Sequence, residues 1–157
     1  MDRAQKAKEN FLQGYNCSQA VVLAFSDLTG LDESTSLKLA SSFGGGIGRM
    51  RQTCGTLLGA FIVLGALYGY DDPRAVQEKN AHYARVQEIA SIFREQNGSI
   101  ICRELLGAMG KDTSPSAEIR SAEYYKKRPC PELCYCAAKA LEEYIKRHPL
   151  TDGKDEL

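Results

Sequence analysis

Six cysteines fall at positions 17, 54, 102, 130, 134 and 136 of a 157-residue chain, and four of them share a kind of position. Cys17 follows Asn16, Cys54 follows Thr53, Cys102 lies three residues after Ser99, and Cys130 precedes Pro131. Each spot reads as the first turn of a helix. A helix start carries about +0.5 charge and free N–H donors, and both favour a thiolate. The thiolate is the nucleophilic and metal-binding form, and such placement lowers a cysteine pKa from about 8.5 to roughly 3.5–7.5. Cys54, Cys17, Cys102 and Cys130 are therefore the redox candidates, and the same four are the candidate metal ligands. This chemistry requires the four helix starts to meet. The opposing expectation is that the thiols are small buried hydrophobes, a common fate of free cysteine.

The spacing excludes several familiar sites. No CxxC pair occurs, so the thioredoxin and zinc-ribbon patterns are absent, and so is CxxCH for covalent haem. The spacings do not match a ferredoxin. Cys134 stands one helical turn after Cys130 and can share its face, whereas Cys136 points elsewhere. Both are left out of the core site. His82 and His148 give no ligand signal.

The loop before Cys54 reads GGGIGRMR from Gly44 to Arg51. Its amides, with Arg49 or Arg51, are suited to hold an anion beside the thiol. Arg49, Arg51, Gly55 and Gly59 are thus candidate cofactor-binding positions. The competing reading is a connection whose glycines let backbone pass close to a neighbour, with Gly55 and Gly59 as packing residues. No GK[ST] follows, so the loop is not a P-loop.

Helical spacing is common and strand alternation scarce. The expected fold is an all-α, single-domain bundle of about six or seven helices around a buried central helix. Helices are predicted over Asp2–Gln13, over Cys17–Leu28 with Asn16 as cap, and over Glu33–Phe43 with Asp32 as cap. The central helix runs from Cys54, capped by Thr53, to Gly69. Asp72-Pro73 restarts a long helix to Gln96. Ser99 caps a short helix containing Cys102, and the last helix spans Cys130–Arg147. Ala108–Lys127 reads as a polar loop with one helical turn. Residues 1–148 form the domain and 149–157 a C-terminal tail.

Lys+Arg and Asp+Glu are each 20, so the chain carries no formal net charge and no basic excess for nucleic acid. The uncharged run Gln52–Tyr70 approaches the roughly 20 residues of a membrane span, but its four glycines and polar start favour a buried helix. The charged N-terminus lacks an apolar signal segment, which points to a reducing cytoplasm. Lys154–Leu157 spell a lumenal retention signal, which has no meaning without entry to the lumen.

Four blocks carry a resemblance: NCSQAVVLAF, FGGGIGRMRQTCGTLLGA, GSIICRELLG and PCPELCYCAAKAL. From about Phe11 to Leu141 the chain resembles the C-GCAxxG-C-C family, called redox-active by inference from its cysteines and its association with oxidoreductase and transporter genes. The resemblance maps the family's four cysteines onto Cys17, Cys54, Cys102 and Cys130, and its glycine motif onto Cys54–Gly59. Thr56 stands where the family usually has alanine. A related domain occurs in split-Soret cytochromes, where such cysteines have been considered for an iron–sulfur cluster. No defined reaction comes with the family.

Two main function classes follow. One is a redox or electron-transfer protein, whose thiolates bind an iron–sulfur cluster or cycle between dithiol and disulfide. The other is a structural zinc module or accessory interaction protein without catalysis. In the dithiol version Cys54 attacks and Cys17 or Cys102 resolves. The expected partner is a redox protein, and the glycine-rich faces and apolar central helix point to a homodimer.

Overall fold

The computed structural model describes residues 2–151 and is all-helical, with nine α-helices and no strand among those residues. They are α1 (Arg3–Leu12), α2 (Cys17–Ala24), α3 (Ser26–Thr29), α4 (Glu33–Ala40), α5 (Gly55–Tyr68), α6 (Val76–Asn97), α7 (Cys102–Leu106), α8 (Ala122–Lys127) and α9 (Cys130–Arg147). The expected tail beyond His148 lies mostly outside the described residues, and Lys154–Leu157 lies wholly outside them.

The helix count exceeds the expectation because one predicted helix is broken and the helical turn expected within Ala108–Lys127 forms as the short helix α8. Phe25, fully buried, leaves helical geometry at φ −110°, ψ 14° and separates α2 from α3. Asp72-Pro73 forms a turn, not a helix start. The Asp72 carboxylate accepts from the Arg74 amide and its carbonyl from Ala75 N–H, so α6 begins only at Val76. Asp2, Asn16 and Asp32 cap α1, α2 and α4 through their side chains. Asn16 and Gln19 form a reciprocal capping box that fixes the start of α2 at Cys17.

The core lies where α1, α2, α5 and α9 pack together. Phe11, Val21, Phe25, Leu57, Leu64, Phe93 and Leu141 are fully buried there. Gly59 lets α5 meet α2 backbone to backbone: a Cβ at Gly59 would stand 2.7 Å from the Ser18 carbonyl oxygen. Helix α5 is central, but only its Leu57–Val63–Leu64 side is buried, while Leu58, Phe61 and Ile62 are half-exposed. No helix among the described residues is long and apolar enough to cross a membrane.

Candidate functional site: four cysteines around one cavity

The segment before α5 is shaped by the glycine loop. Five consecutive residues, Gly45 to Arg49, have φ between 55° and 70°, and Arg51 follows at 61°. Left-handed backbone is open to glycine but costs other residues roughly 1–3 kcal/mol each, most of all a β-branched one such as Ile47. Hydrogen bonds hold the coil closed: the amides of Ile47, Arg49, Arg51 and Gln52 donate to the carbonyls of Phe43, Gly44, Gly45 and Gly46 at 2.9–3.2 Å.

Beyond the coil the chain straightens and pairs with residues 100–103. Cys54 N–H donates to the Ile100 carbonyl at 2.7 Å, Cys102 N–H to that of Gln52 at 2.6 Å, and Arg103 N–H to that of Arg51 at 3.2 Å. An isolated antiparallel bridge joins Thr53 and Ile101. This short pairing brings the start of α5 and the start of α7 together, although 48 positions separate Cys54 from Cys102. Cys54 is the N-cap of α5, not its first residue as the sequence implied, and Gly55 takes the first position. Cys102, Cys17 and Cys130 are the first residues of α7, α2 and α9.

All four of these cysteines line a single cavity of about 60 Å³, together with Arg51, Arg120 and Arg128. That is room for a few waters or one small reacting group. Cys17, Cys54 and Cys102 are buried, and Cys130 is half-buried. The Cys17 sulfur packs directly on Gly55, where an added Cβ would come within 2.4 Å of it. The Cys54 sulfur lies 3.0 Å from Thr56 Oγ1. Arg51 Nη1 reaches to 3.9 Å from the Cys102 sulfur. Gly46 lies against Cys102, whose Cβ an added methyl would meet at 2.6 Å.

The thiol acidities run opposite to the expectation from helix starts. Burial pushes the Cys54 pKa up to about 12, reinforced by the neighbouring Cys17, although Thr56 and the amides of Thr56 and Leu57 favour its thiolate. Burial also raises Cys17, against the opposing Gly45 amide, and it raises Cys130, with Cys17 and Cys54 adding to the effect. The loss of water around a buried thiolate outweighs the helix-start dipole. Buried in this way, these three favour the neutral thiol.

The two cysteines excluded from the sequence reading separate sharply. Cys134 is fully buried, donates to the Cys17 carbonyl at 3.8 Å, and has its acidity suppressed by burial and by Cys17, Cys130 and Cys54. It backs the site from the next turn of α9. Its spacing of four from Cys130 was the available signal. Cys136 is half-buried and does not line the cavity. Neither histidine lines the cavity: His82 sits mid-α6, and His148 stacks on Tyr144 at 4.1 Å.

Among the anion-holding candidates, Arg49 is turned outward to the 111–121 segment. It donates to the Ser114 carbonyl at 2.5 Å and to Ser116, and pairs with Glu118 at 3.1 Å. Arg51 is buried, lines the cavity and donates to the Asp112 carbonyl at 3.0 Å. Gly55 lines the cavity; Gly59 faces α2 instead. Arg120 and Arg128, which the polar composition of their segment gave no reason to single out, line it as well.

A metal site would need the same sulfurs drawn into one ligand set. The four line the cavity without being so gathered: among the described residues, no three His, Cys, Asp or Glu side chains are grouped closely enough to hold one metal ion.

An all-helical protein with four cysteines at helix starts around one small cavity belongs to the class of thiol-bearing helical proteins. The model of one family, described as "Putative redox-active protein (C_GCAxxG_C_C)", matches residues 15–144, and the chain belongs to that family. No curated protein and no solved structure matches it.

The raised thiol pKa has a consequence for stability. Between pH 9.0 and about 12 the folded chain keeps the Cys54 proton that the unfolded chain releases. The folded state then binds more protons, so stability falls as pH rises, by about 1.4 kcal/mol per pH unit for this one group. Below pH 9 the contribution is intact. Urea unfolding at pH 8, 9 and 10 is expected to show the decline, and Cys54→Ala is expected to make it shallower. A stability flat across that window would contradict the buried neutral thiol.

Proposed function

We propose that the chain is a dithiol–disulfide redox protein in which Cys54 and Cys17 form the working couple. The observation that carries this reading is that the Cys17 sulfur packs on Gly55, the residue next to Cys54, whose missing side chain leaves it room at the start of α5. The effect of Cys17 on the acidity of Cys54 supports the same pairing. Membership in a family described as redox-active supports the class of chemistry.

In the reaction a Cys54 thiolate attacks one sulfur of a disulfide substrate, whose S–S bond breaks and expels one thiolate. Cys17, deprotonated in turn, attacks the Cys54 side of the mixed disulfide and expels the second. The couple loses two electrons and two protons, and the substrate becomes two thiols. A high pKa leaves little thiolate at pH 7 but makes the thiolate that forms strongly nucleophilic. Oxidation by a small disulfide is therefore expected to speed up close to tenfold per pH unit from pH 7 to 10 with no plateau. A plateau near pH 7 would mean a low-pKa thiol and contradict this reading. A reducing cytoplasm suits the six free cysteines, and a redox protein would serve as the electron partner.

A second reading is an iron–sulfur or zinc centre on Cys17, Cys54, Cys102 and Cys130. It is favoured by four thiols from four elements facing one cavity beside three arginines. It requires the sulfurs to move together from their present positions. Iron, sulfide and zinc content of protein purified without oxygen separates the two readings: stoichiometric metal supports the second, and metal-free protein with a titratable disulfide supports the first.

A further inference from the structure

Outside the cysteine cavity lies a vestibule of about 430 Å³ that shares Arg51, Arg120, Arg128 and Tyr124 with it and adds Arg49 and Glu118. Its charges are unbalanced. Arg49, Arg51 and Arg128 all converge on the single carboxylate of Glu118, at 3.1 Å, 3.6 Å and in direct contact respectively. The Arg51 and Arg128 side chains are only 4% and 6% exposed. Arg120 donates to the carbonyls of Phe11 and Tyr15 at 3.2 and 3.1 Å and lies 4.2 Å over the Phe11 ring, with no carboxylate partner among the described residues. The carboxylate of Asp112, the other nearby acid, pairs with Arg49 alone among these arginines, at 3.5 Å, and is 58% exposed. Buried guanidiniums in excess of their counter-ions are costly, and they favour an added anion.

The carboxylate that now sits there is carried by a segment with little apolar burial. Glu118 belongs to the irregular segment 111–121, in which every residue from Lys111 to Ile119 is exposed. Ile119 is 87% exposed, so this stretch buries no apolar anchor. It is pinned by the arginines themselves, through Ser114, Ser116, Asp112 and Glu118. A segment with few buried apolar contacts opens at low cost.

We propose that this vestibule binds the carboxylate of a small disulfide or thiol substrate, and that Glu118 is an internal stand-in which the substrate displaces. The proposal rests on the dithiol reading for the word substrate, but the anion site stands on its own geometry. Planar guanidiniums pair with carboxylates two N–H groups at a time, and the site opens onto the cavity that holds Cys54 and Cys17.

Two readouts test it on the full chain. The first is calorimetric binding of glutarate, which involves no thiol chemistry. Glu118→Gln is expected to tighten it about tenfold, and Arg49→Gln to weaken it by a similar factor. The second is the ratio of oxidation rates by the dianionic 5,5′-dithiobis(2-nitrobenzoate) and the uncharged 4,4′-dithiodipyridine. A changed thiol pKa acts on both reagents, so the ratio reads charge recognition. It is expected to rise with Glu118→Gln and fall with Arg49→Gln. Glutarate affinity indifferent to both substitutions would overturn the site. A ratio indifferent to both would overturn its part in substrate selection. Failure of both reagents to oxidise Cys54 would instead overturn the dithiol reading, and the glutarate result would still decide the anion site.

Discussion

Cys54→Ser is expected to abolish turnover with small disulfides, leaving only the rate of the reagent in buffer, while Cys136→Ser leaves turnover unchanged. Cys54 lines the cavity and in the proposed cycle carries the attacking sulfur, and a serine hydroxyl at the same N-cap cannot replace it as a thiolate nucleophile. The N-cap position itself tolerates serine well, so the variant is expected to fold, and its helical circular dichroism checks this. Cys136 lies on α9 away from the cavity and serves as the matched control. Cys17→Ser is expected to behave differently from either. It stops the cycle at the mixed disulfide, so the variant gains one reagent-derived group per chain, which intact-mass measurement detects. Equal turnover in native and Cys54→Ser protein would remove Cys54 from the mechanism.

A pair of substitutions on one helix separates packing glycines from permissive ones. Gly55→Ala is expected to destabilise the fold by about 1–3 kcal/mol, the usual range for overpacking, and to depress redox turnover as well. The added methyl would meet the Cys17 sulfur at 2.4 Å and the Phe43 carbonyl oxygen at 2.6 Å, and the second is backbone that cannot simply rotate away. Either α5 must shift from α2, or the Cys17 sulfur must leave its place against Gly55. Further along the same helix, a methyl added at Gly65 would meet nothing within 4 Å. Gly65→Ala is expected to stabilise by about 0.5–1 kcal/mol, because alanine loses less backbone freedom than glycine in a helix. Urea unfolding of both variants reads the contrast. A neutral Gly55→Ala would mean that the α2–α5 contact at the cysteines is looser than described.

Some helix starts were legible because their signals are local, whereas Thr53 and Ser99 do not cap α5 and α7, whose caps are Cys54 and Ile101. Asn16 with Gln19, Asp32 and the Cys130-Pro131 pair each mark a boundary within one turn. The convergence of those starts on one cavity followed only as an expectation, since four spacings along the chain do not fix where helices cross. The acidity of the thiols was misread for a related reason. A helix start is visible in sequence, but the depth at which it is buried is a property of the packed core, and at Cys54 burial decides the sign. The coil from Gly45 to Arg49 was hidden by Ile47 and Arg49, which sequence rules keep out of left-handed backbone. The pairing of 51–54 with 100–103 involves too few residues to show strand alternation. Arg120 and Arg128 were obscured by the polar text around them, in which a buried cation looks like any solvated one. Asp72-Pro73 was misassigned because a capping acid before proline also describes a plain turn.

The decisive measurement is peptide mapping by mass spectrometry of the chain purified without oxygen, assayed for iron, sulfide and zinc, and then oxidised with one equivalent of 4,4′-dithiodipyridine. The expected result is metal-free protein that loses two of its six thiols and yields a Cys17–Cys54 cross-linked peptide. Stoichiometric metal on the four cavity cysteines, a cross-link that omits Cys54, or six unreacted thiols would each contradict a redox couple built from Cys17 and Cys54.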